Sequence, residues 1–246
     1  MVTGAGRGIG ASIAEALARE GFDLALSSRS DSAARCADEL VSHGARAFGL
    51  AADASDPASF VELVEAARER YGRVDALVNN AGINHSGSVE EMAPEQFDEM
   101  YAVNVRGVFF GVQAVLPALR EVGGGAIVNI ASFVGRTPVP GFTAYSATKA
   151  AVLSLTRGHA LELAEQGITV NAVCPGNVWS DIWSGATRGI RDETGKTAEQ
   201  LFEDAIAATP LRRPQTGADI GAATAFLCSD AARNITGEAI YVTGGI

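Results

Sequence analysis

Short apolar runs alternate along this chain with longer stretches in which apolar residues recur at helical spacing. The runs at 23–28, 45–50, 74–79, 126–131, 168–173 and 239–242 read as strands. The stretches near 11–20, 32–42, 57–71, 95–119, 144–166, 196–208 and 217–229 read as helices. In the first of them Ile13 and Leu17 are surrounded by Ala14, Ala16 and Ala18. Asp56 before Pro57 forms an N-cap and first-turn pair. Strand–helix alternation of this kind builds a parallel sheet with helices on both faces, an α/β fold. A further strand at the start has only Met1 and Val2 before a glycine turn. Either the chain as given starts downstream of the natural one, or a central strand is unusually short and stability suffers. No repeat, low-complexity tract or linker interrupts the 246 residues, which read as one domain.

Composition narrows the function. Hydrophobic residues make up 47%, enough for a sizeable core, while 28 glycines and only 7% aromatics point to close helix-on-sheet packing. A net charge of −10 argues against a nucleic-acid binder, which would need clustered Lys and Arg. Cys36, Cys174 and Cys228 are odd in number and far apart, and read as inert thiols in a reducing cytoplasm. No metal site is expected. No stretch reads as the ~20 apolar residues that span a bilayer, and the N-terminus is unlike a signal peptide. A cytoplasmic protein without a membrane partner is expected.

Two segments carry chemistry. Thr3-Gly4-Ala5-Gly6-Arg7-Gly8-Ile9-Gly10 lies between a strand and a helix. Glycines there let the backbone approach a pyrophosphate, and the helix N-terminus attracts the anion. The glycine spacing departs from the usual dinucleotide fingerprint, so the turn alone is only suggestive. In Tyr145-Ser146-Ala147-Thr148-Lys149 the tyrosine and lysine stand at i and i+4, within reach on one helix face. A cation beside a phenol favours the phenolate and pulls its pKa down from ~10. Tyr145 could then exchange a proton with a carbonyl or alcohol oxygen held by the Ser132 hydroxyl. Tyr-x-x-x-Lys alone also fits an ordinary surface pair.

Together the two segments resemble the short-chain dehydrogenase/reductase family, along essentially the whole chain. Thr3, Gly4, Gly8 and Gly10 match its glycine turn, and Asn79-Asn80-Ala81-Gly82 its motif after the fourth strand. Asn104 matches its helix asparagine and Pro175-Gly176 its turn after the sixth strand. The resemblance implies a single-domain Rossmann-type doubly wound sheet of about seven strands. It implies hydride transfer between a nicotinamide cofactor and a ketone or secondary alcohol, with Asn104, Ser132, Tyr145 and Lys149 as the catalytic set. Lys149 would also bind the nicotinamide ribose, and Asn104 would perturb its helix and hold a water joining Lys149 to solvent. A helix-interior polar residue is the plainer reading of Asn104.

The same resemblance assigns Gly4, Arg7, Gly8, Ile9 and Gly10 to the cofactor phosphates. Asp53 would meet the adenine amine, Asn80, Ala81 and Gly82 the adenosine ribose, and Pro175, Gly176, Val178 and Ser180 the nicotinamide. Asp53 is also ordinary turn chemistry. Ser28 takes the position where NAD-binding relatives carry an acid, and Arg29 follows it, which favours NADP(H) over NAD(H). The competing reading makes Arg29 a solvated arginine and Asp31 the ribose ligand. Against it, Ser30 and Asp31 sit where the next helix needs a cap.

The substrate is expected to be a small carbonyl compound or alcohol, in the branch of 3-oxoacyl-acyl-carrier, polyol and diketone reductases. The resemblance places its pocket walls at His85, at 133–142 and in a segment near 179–209 that would form a mobile lid. Trp179 and Trp183 are pocket wall or, equally, core and subunit packing, whereas His43 and His159 need no function. Acyl-carrier substrates call for basic residues at the mouth, and Arg136, Arg188 and Arg191 are a thin supply. A homo-oligomer, dimer or tetramer, would form through the helices near 95–119 and 144–166. Thr243 stands where many relatives carry aspartate, which leaves C-terminal contacts between subunits open. The alternatives are an NAD-dependent polyol dehydrogenase and a catalytically silent dinucleotide-binding sensor or scaffold.

Overall fold

A computed structural model describes residues 1–180, Trp183, Thr187, Arg191 and 194–246. Seven strands form one sheet: β1 (Val2–Thr3), β2 (Leu24–Ser28), β3 (Ala47–Ala51), β4 (Ala76–Asn79), β5 (Gly125–Ile130), β6 (Ile168–Pro175) and β7 (Ala239–Val242). Their order is β3-β2-β1-β4-β5-β6-β7, with every pairing parallel. Growth of the sheet reverses between β1 and β4, and in open α/β sheets ligands bind in the crevice beyond that switch point.

Side chains alternate across the strands, so each face feeds a separate core. Leu24, Leu26, Val78 and Val128 face the helices α1 (Gly8–Arg19), α2 (Ser32–Ser42) and α8 (Gly217–Cys228). Ala25, Leu77 and Ile127 face α3 (Pro57–Tyr71), α5 (Gly107–Glu121) and α6 (Thr143–Leu163). Asp56 accepts the Ala58 N–H at 3.1 Å and Pro57 opens α3, as the sequence predicts. α7 (Ala198–Ala208) begins with a reciprocal Thr197–Gln200 cap.

The single long helix expected at 95–119 is divided. α4 (Pro94–Tyr101) passes through a π-helical turn, Ala102–Arg106, into α5. One expectation is corrected here: Pro94–Glu121 runs 28 residues with a window of mean hydropathy 1.4, long and apolar enough to cross a bilayer. Half of that window is buried in the fold, because Val108, Val112, Val115 and Leu119 pack against the sheet.

β1 is as short as the sequence indicates, yet it pairs on both edges, with β2 and with β4. A buried polar chain crosses the layers next to it. Asn79 Nδ2 donates to Asn129 Oδ1 at 2.9 Å, and Asn129 Nδ2 donates to Thr156 Oγ1 at 2.9 Å. The chain ties β4 to β5 and β5 to α6, so it fixes their register as well as filling space. Truncating its middle member orphans donors and acceptors on both sides. Asn129→Ala should therefore lower the unfolding free energy by about 2 to 3 kcal/mol, measured as an earlier urea midpoint with an unchanged slope.

Candidate functional site

The glycine turn, the loop after β4, the end of β5 and the start of α6 converge on one cleft of about 1520 Å³. Its floor is a joint between the first and fourth strands. Thr3 Oγ1 accepts the N–H groups of Asn80 and Ala81, each at 3.1 Å. Asn80 Nδ2 donates back to the carbonyls of Thr3 and Gly4 at 2.9 and 3.0 Å. Gly4 has φ +62°, and a Cβ there would stand 2.8 Å from Ala81 Cα, so the joint closes only with glycine.

Above that floor the residues fit a dinucleotide. Gly8 has φ +55° and a Cβ there would meet nothing within 4 Å, which leaves open space against the backbone at the start of α1. α1 has no side-chain N-cap, so the first-turn N–H groups of Gly8, Ile9 and Gly10 are available to an anion. Gly4, Arg7, Ser28, Arg29, Asp53, Asn80, Ala81, Gly82, Pro175, Gly176, Val178 and Ser180 all line the same cleft. Asp53 Oδ1 accepts both the N–H and the hydroxyl of Ser55 at 2.8 Å, and these bonds hold its carboxyl below the usual range. Ser180 Oγ accepts the Trp183 N–H at 3.3 Å.

The α2 cap differs from expectation. Ser28 Oγ accepts the Ala33 N–H at 2.9 Å and Ser30 Oγ the Ser32 N–H at 3.4 Å, while Asp31 makes no side-chain cap. Asp31 pairs with Arg35 one turn on and does not line the cleft, so the geometry gives no support to its reading as a ribose ligand. Arg29 does line it, and lies 3.7 Å from Glu99, whose other oxygen meets His85 Nε2 at 2.8 Å. His85 itself is not among the residues that line the cleft, so the wall expected there is not formed by it.

Ser132 leaves β5 in extended conformation, its Oγ accepting the Val134 N–H at 3.4 Å. Tyr145 and Lys149 lie buried in the first turns of α6 and open onto the cleft beside Ser132. Lys149 Nζ is 5.6 Å from the Tyr145 ring centroid and donates to Ile130 O at 2.9 Å. The lowering of the phenol pKa expected from the sequence is not what this arrangement produces. Burial pushes the Tyr145 phenol above its ordinary value, with no offset from the lysine, and lowers Lys149 to about 8. Both groups are stripped of water, and the ammonium gives one of its three donors to a carbonyl.

Asn104 is fully buried within the π turn, so the local perturbation of the helix is present. Its Oδ1 accepts the Ile83 N–H and its Nδ2 donates to the Ile83 carbonyl, both at 2.9 Å. Nδ2 also donates to Thr148 Oγ1 at 3.1 Å, and Thr148 donates to the Tyr145 carbonyl at 2.7 Å. Asn104 therefore locks the loop beyond Gly82 to the turn that carries Tyr145.

Thr3, Thr148, Gln215 and Glu99 are supports that the sequence reading missed. Thr3 and Thr148 lie inside motifs already singled out, and their hydroxyls were the available signal. Gln215 Oε1 accepts the Asn177 N–H at 2.8 Å from across the fold, and nothing local announces it. His159, read as needing no function, lies in α6 buried against Phe109, its Nδ1 without a partner, and burial lowers its pKa. Trp179 and Trp183 line the cleft, and each meets Phe202 edge-on at 5.2 Å. Positions 181, 182, 184–186, 188–190, 192 and 193, within the expected lid and including Arg188, lie outside the described residues.

A nucleotide-sized crevice at the switch point, with hydroxyls and a buried amine at its inner end, places the chain among the nicotinamide-dependent oxidoreductases. A family model described as enoyl-(acyl carrier protein) reductase matches residues 4–246. The chain is 38% identical over 248 residues to the 3-oxoacyl-[acyl-carrier-protein] reductase FabG of Staphylococcus epidermidis, covering 100% of this chain and 97% of the relative. A variant of actinorhodin polyketide ketoreductase solved with NADPH superposes with a TM-score of 0.94 at 37% identity, covering 99% and 94% of the two chains. Levodione reductase superposes with a TM-score of 0.91 at 33% identity, covering 98% and 94%. The chain belongs to the short-chain dehydrogenase/reductase family, NAD(P)-dependent enzymes acting on C=O or CH–OH groups.

Lys149 supplies a pH signature. Its folded value, about 8, lies below the unfolded 10.5, so burial of the charge costs stability in full below pH 8. As pH rises from 8 toward 10.5 the folded protein loses this proton first and the cost is relieved. The unfolding free energy of the cofactor-free protein, minus that of Lys149→Met, should rise by roughly 2 kcal/mol between pH 7 and pH 10. Paired urea titrations measure it, and a flat difference contradicts the shift.

Proposed function

We propose that this protein is an NADPH-dependent ketone reductase in which Tyr145 is the proton donor. The observation that carries the reading is the convergence of Ser132, Tyr145 and Lys149 on the cleft that also holds the glycine turn and Arg29. When bound, the nicotinamide supplies the hydride. Ser132 Oγ holds the substrate oxygen. Tyr145 passes its phenolic proton to that oxygen, and a phenol kept protonated by burial suits donation. Lys149 steadies the phenolate left behind, and its ammonium binds the nicotinamide ribose hydroxyls. Asn104 positions both through Ile83 and Thr148; its Oδ1, with one lone pair beyond the Ile83 bond, faces the gap at Gly82 that also borders Lys149 Nζ and can seat a relay water.

At the other end Gly4, Gly8, Ile9 and Gly10 cradle the pyrophosphate with backbone N–H groups, and Arg7 flanks it. Asp53 meets the adenine, Asn80 to Gly82 the adenosine ribose, and Pro175, Gly176, Val178 and Ser180 the nicotinamide. Ser28 leaves room for a 2′-phosphate and Arg29 binds it. The exposed Arg29–Glu99 pair is worth at most ~1 kcal/mol and yields to a dianion. Exposed Phe97, Phe109 and Leu161 on α4, α5 and α6 fit a homo-oligomer formed through those helices. Three free cysteines fit the reducing cytoplasm.

Tyr145→Phe should lower kcat at least ~100-fold while NADPH binding stays within twofold, read by nicotinamide absorbance and fluorescence titration. Substantial turnover in that variant removes Tyr145 from the mechanism. Arg29→Ala should weaken NADPH by about tenfold and leave NADH unchanged, and equal losses for both would rule out a 2′-phosphate contact.

A further inference from the structure

Two consecutive residues, Arg106 at the end of the π turn and Gly107 at the start of α5, hold the loop that follows β3. Arg106 Nη1 donates to the Ser55 carbonyl at 2.7 Å. Gly107 lies so close to the same loop that a Cβ on it would run into the Ala54 carbonyl oxygen. The Arg106 guanidinium also lies over the Phe110 ring, 5.3 Å from its centroid. That contact restrains a long side chain, so less freedom is lost when the carbonyl bond forms.

Ser55 is the pivot of a short chain of bonds. Its N–H and hydroxyl both donate to Asp53 Oδ1 at 2.8 Å, while its carbonyl takes the Arg106 bond on the other side. Asp53 lines the cleft, and with Oδ1 occupied its Oδ2 is left to a ligand. The loop is otherwise tied to the strand beside it and to the helix it leads into, through Ala52 N–H to Ser28 O at 2.8 Å and Asp53 N–H to Ser59 Oγ at 3.3 Å. Arg106 supplies the tie from across the fold. An ionised carboxylate only accepts, so Oδ2 suits an amine and repels a carbonyl oxygen in the same place.

We infer that Arg106 is a positioning residue for adenine recognition: by fixing Ser55 it aims Asp53 Oδ2 at the exocyclic amine of the cofactor's adenine. This rests on the reading of Asp53 as the adenine contact and adds the residue that orients it. Arg106 itself does not line the cleft and acts through Ser55 alone. The π turn then serves both ends of the cofactor, because Asn104 in the same turn braces the turn of α6 that carries Tyr145.

The test is equilibrium binding, followed by the fluorescence of the reduced nicotinamide, in the parent, Arg106→Met and Asp53→Asn. The ligands are NADPH, NADH and the hypoxanthine analogue of NADPH, which carries a carbonyl oxygen in place of the adenine amine. Arg106 is exposed, so methionine there leaves the core untouched. The parent should bind NADPH about tenfold more tightly than the hypoxanthine analogue. In Arg106→Met that preference should fall to about threefold or less, and in Asp53→Asn it should vanish. The preference for NADPH over NADH, which the 2′-phosphate sets, should stay within about twofold of the parent's in Arg106→Met. Equal losses for all three ligands in Arg106→Met, or a preference for adenine that only Asp53→Asn removes, overturn the inference and leave Asp53 at the adenine. A preference absent from the parent, or untouched by Asp53→Asn, overturns the reading of Asp53 and the inference with it.

Discussion

The geometry of the cleft depends on the joint at Thr3. One buried hydroxyl takes two N–H groups from the loop after β4, and one asparagine amide returns two bonds to the turn after β1. Neighbouring parallel strands would otherwise diverge here with their terminal backbone groups unsatisfied. The joint satisfies those groups inside the protein and leaves the glycine turn facing outward to a ligand. It also compensates for a first strand of only two residues, because the bonds beyond Thr3 continue the β1–β4 contact after the ladder ends.

A second constraint is desolvation. Tyr145 and Lys149 are exposed by only 9% and 4%, and in so dry a place each is pushed toward its neutral form. Two partners resist this for the lysine: the Ile130 carbonyl at the end of β5, and any anion or hydroxyl that approaches from the cleft. The protein thus keeps a phenol and an amine close together without pairing them as ions. Such a pair responds to charge that develops in the cleft far more than a solvated pair would.

Much of this was legible from the chain. The strand and helix order came through because apolar runs and helical periodicity report burial directly, and burial in a parallel sheet is one-dimensional information. Boundaries moved by up to three residues, as at 45–50 against Ala47–Ala51, where pairing rather than hydrophobicity sets the end. Candidate site residues could be proposed from the chain because they sit in short local motifs, and those motifs line one cleft. What escaped depends on distance through space. Asn104 reads as a polar residue in a helix, and only its bonds to Ile83 and Thr148, from 21 and 44 positions away, make it a brace. The capping of α2 fell to Ser28 instead of Asp31, because the chain's bend brings Ser28 Oγ to Ala33 while Arg35 draws the Asp31 carboxylate aside.

The two ends of the cleft are built by different means, and that difference governs how they can change. The end at the glycine turn is made largely of backbone: glycines in contact with other backbone atoms, first-turn N–H groups, and short side chains bonded into the sheet. At Gly4 and Gly10 a larger residue collides, as a Cβ on Gly10 would at 2.2 Å from the Gly4 carbonyl, so these two positions tolerate little variation. The end beside Tyr145 is lined by large side chains outside the sheet: Phe133, Val139 and Phe142, packed against Met100, Val134 and Tyr145, and Trp179 and Trp183, which meet Phe202. Exchanging an aromatic ring there alters a wall without breaking a strand pairing or a buried backbone bond. One scaffold can therefore hold its cofactor chemistry constant while the ketone it accepts is reset by a handful of side chains.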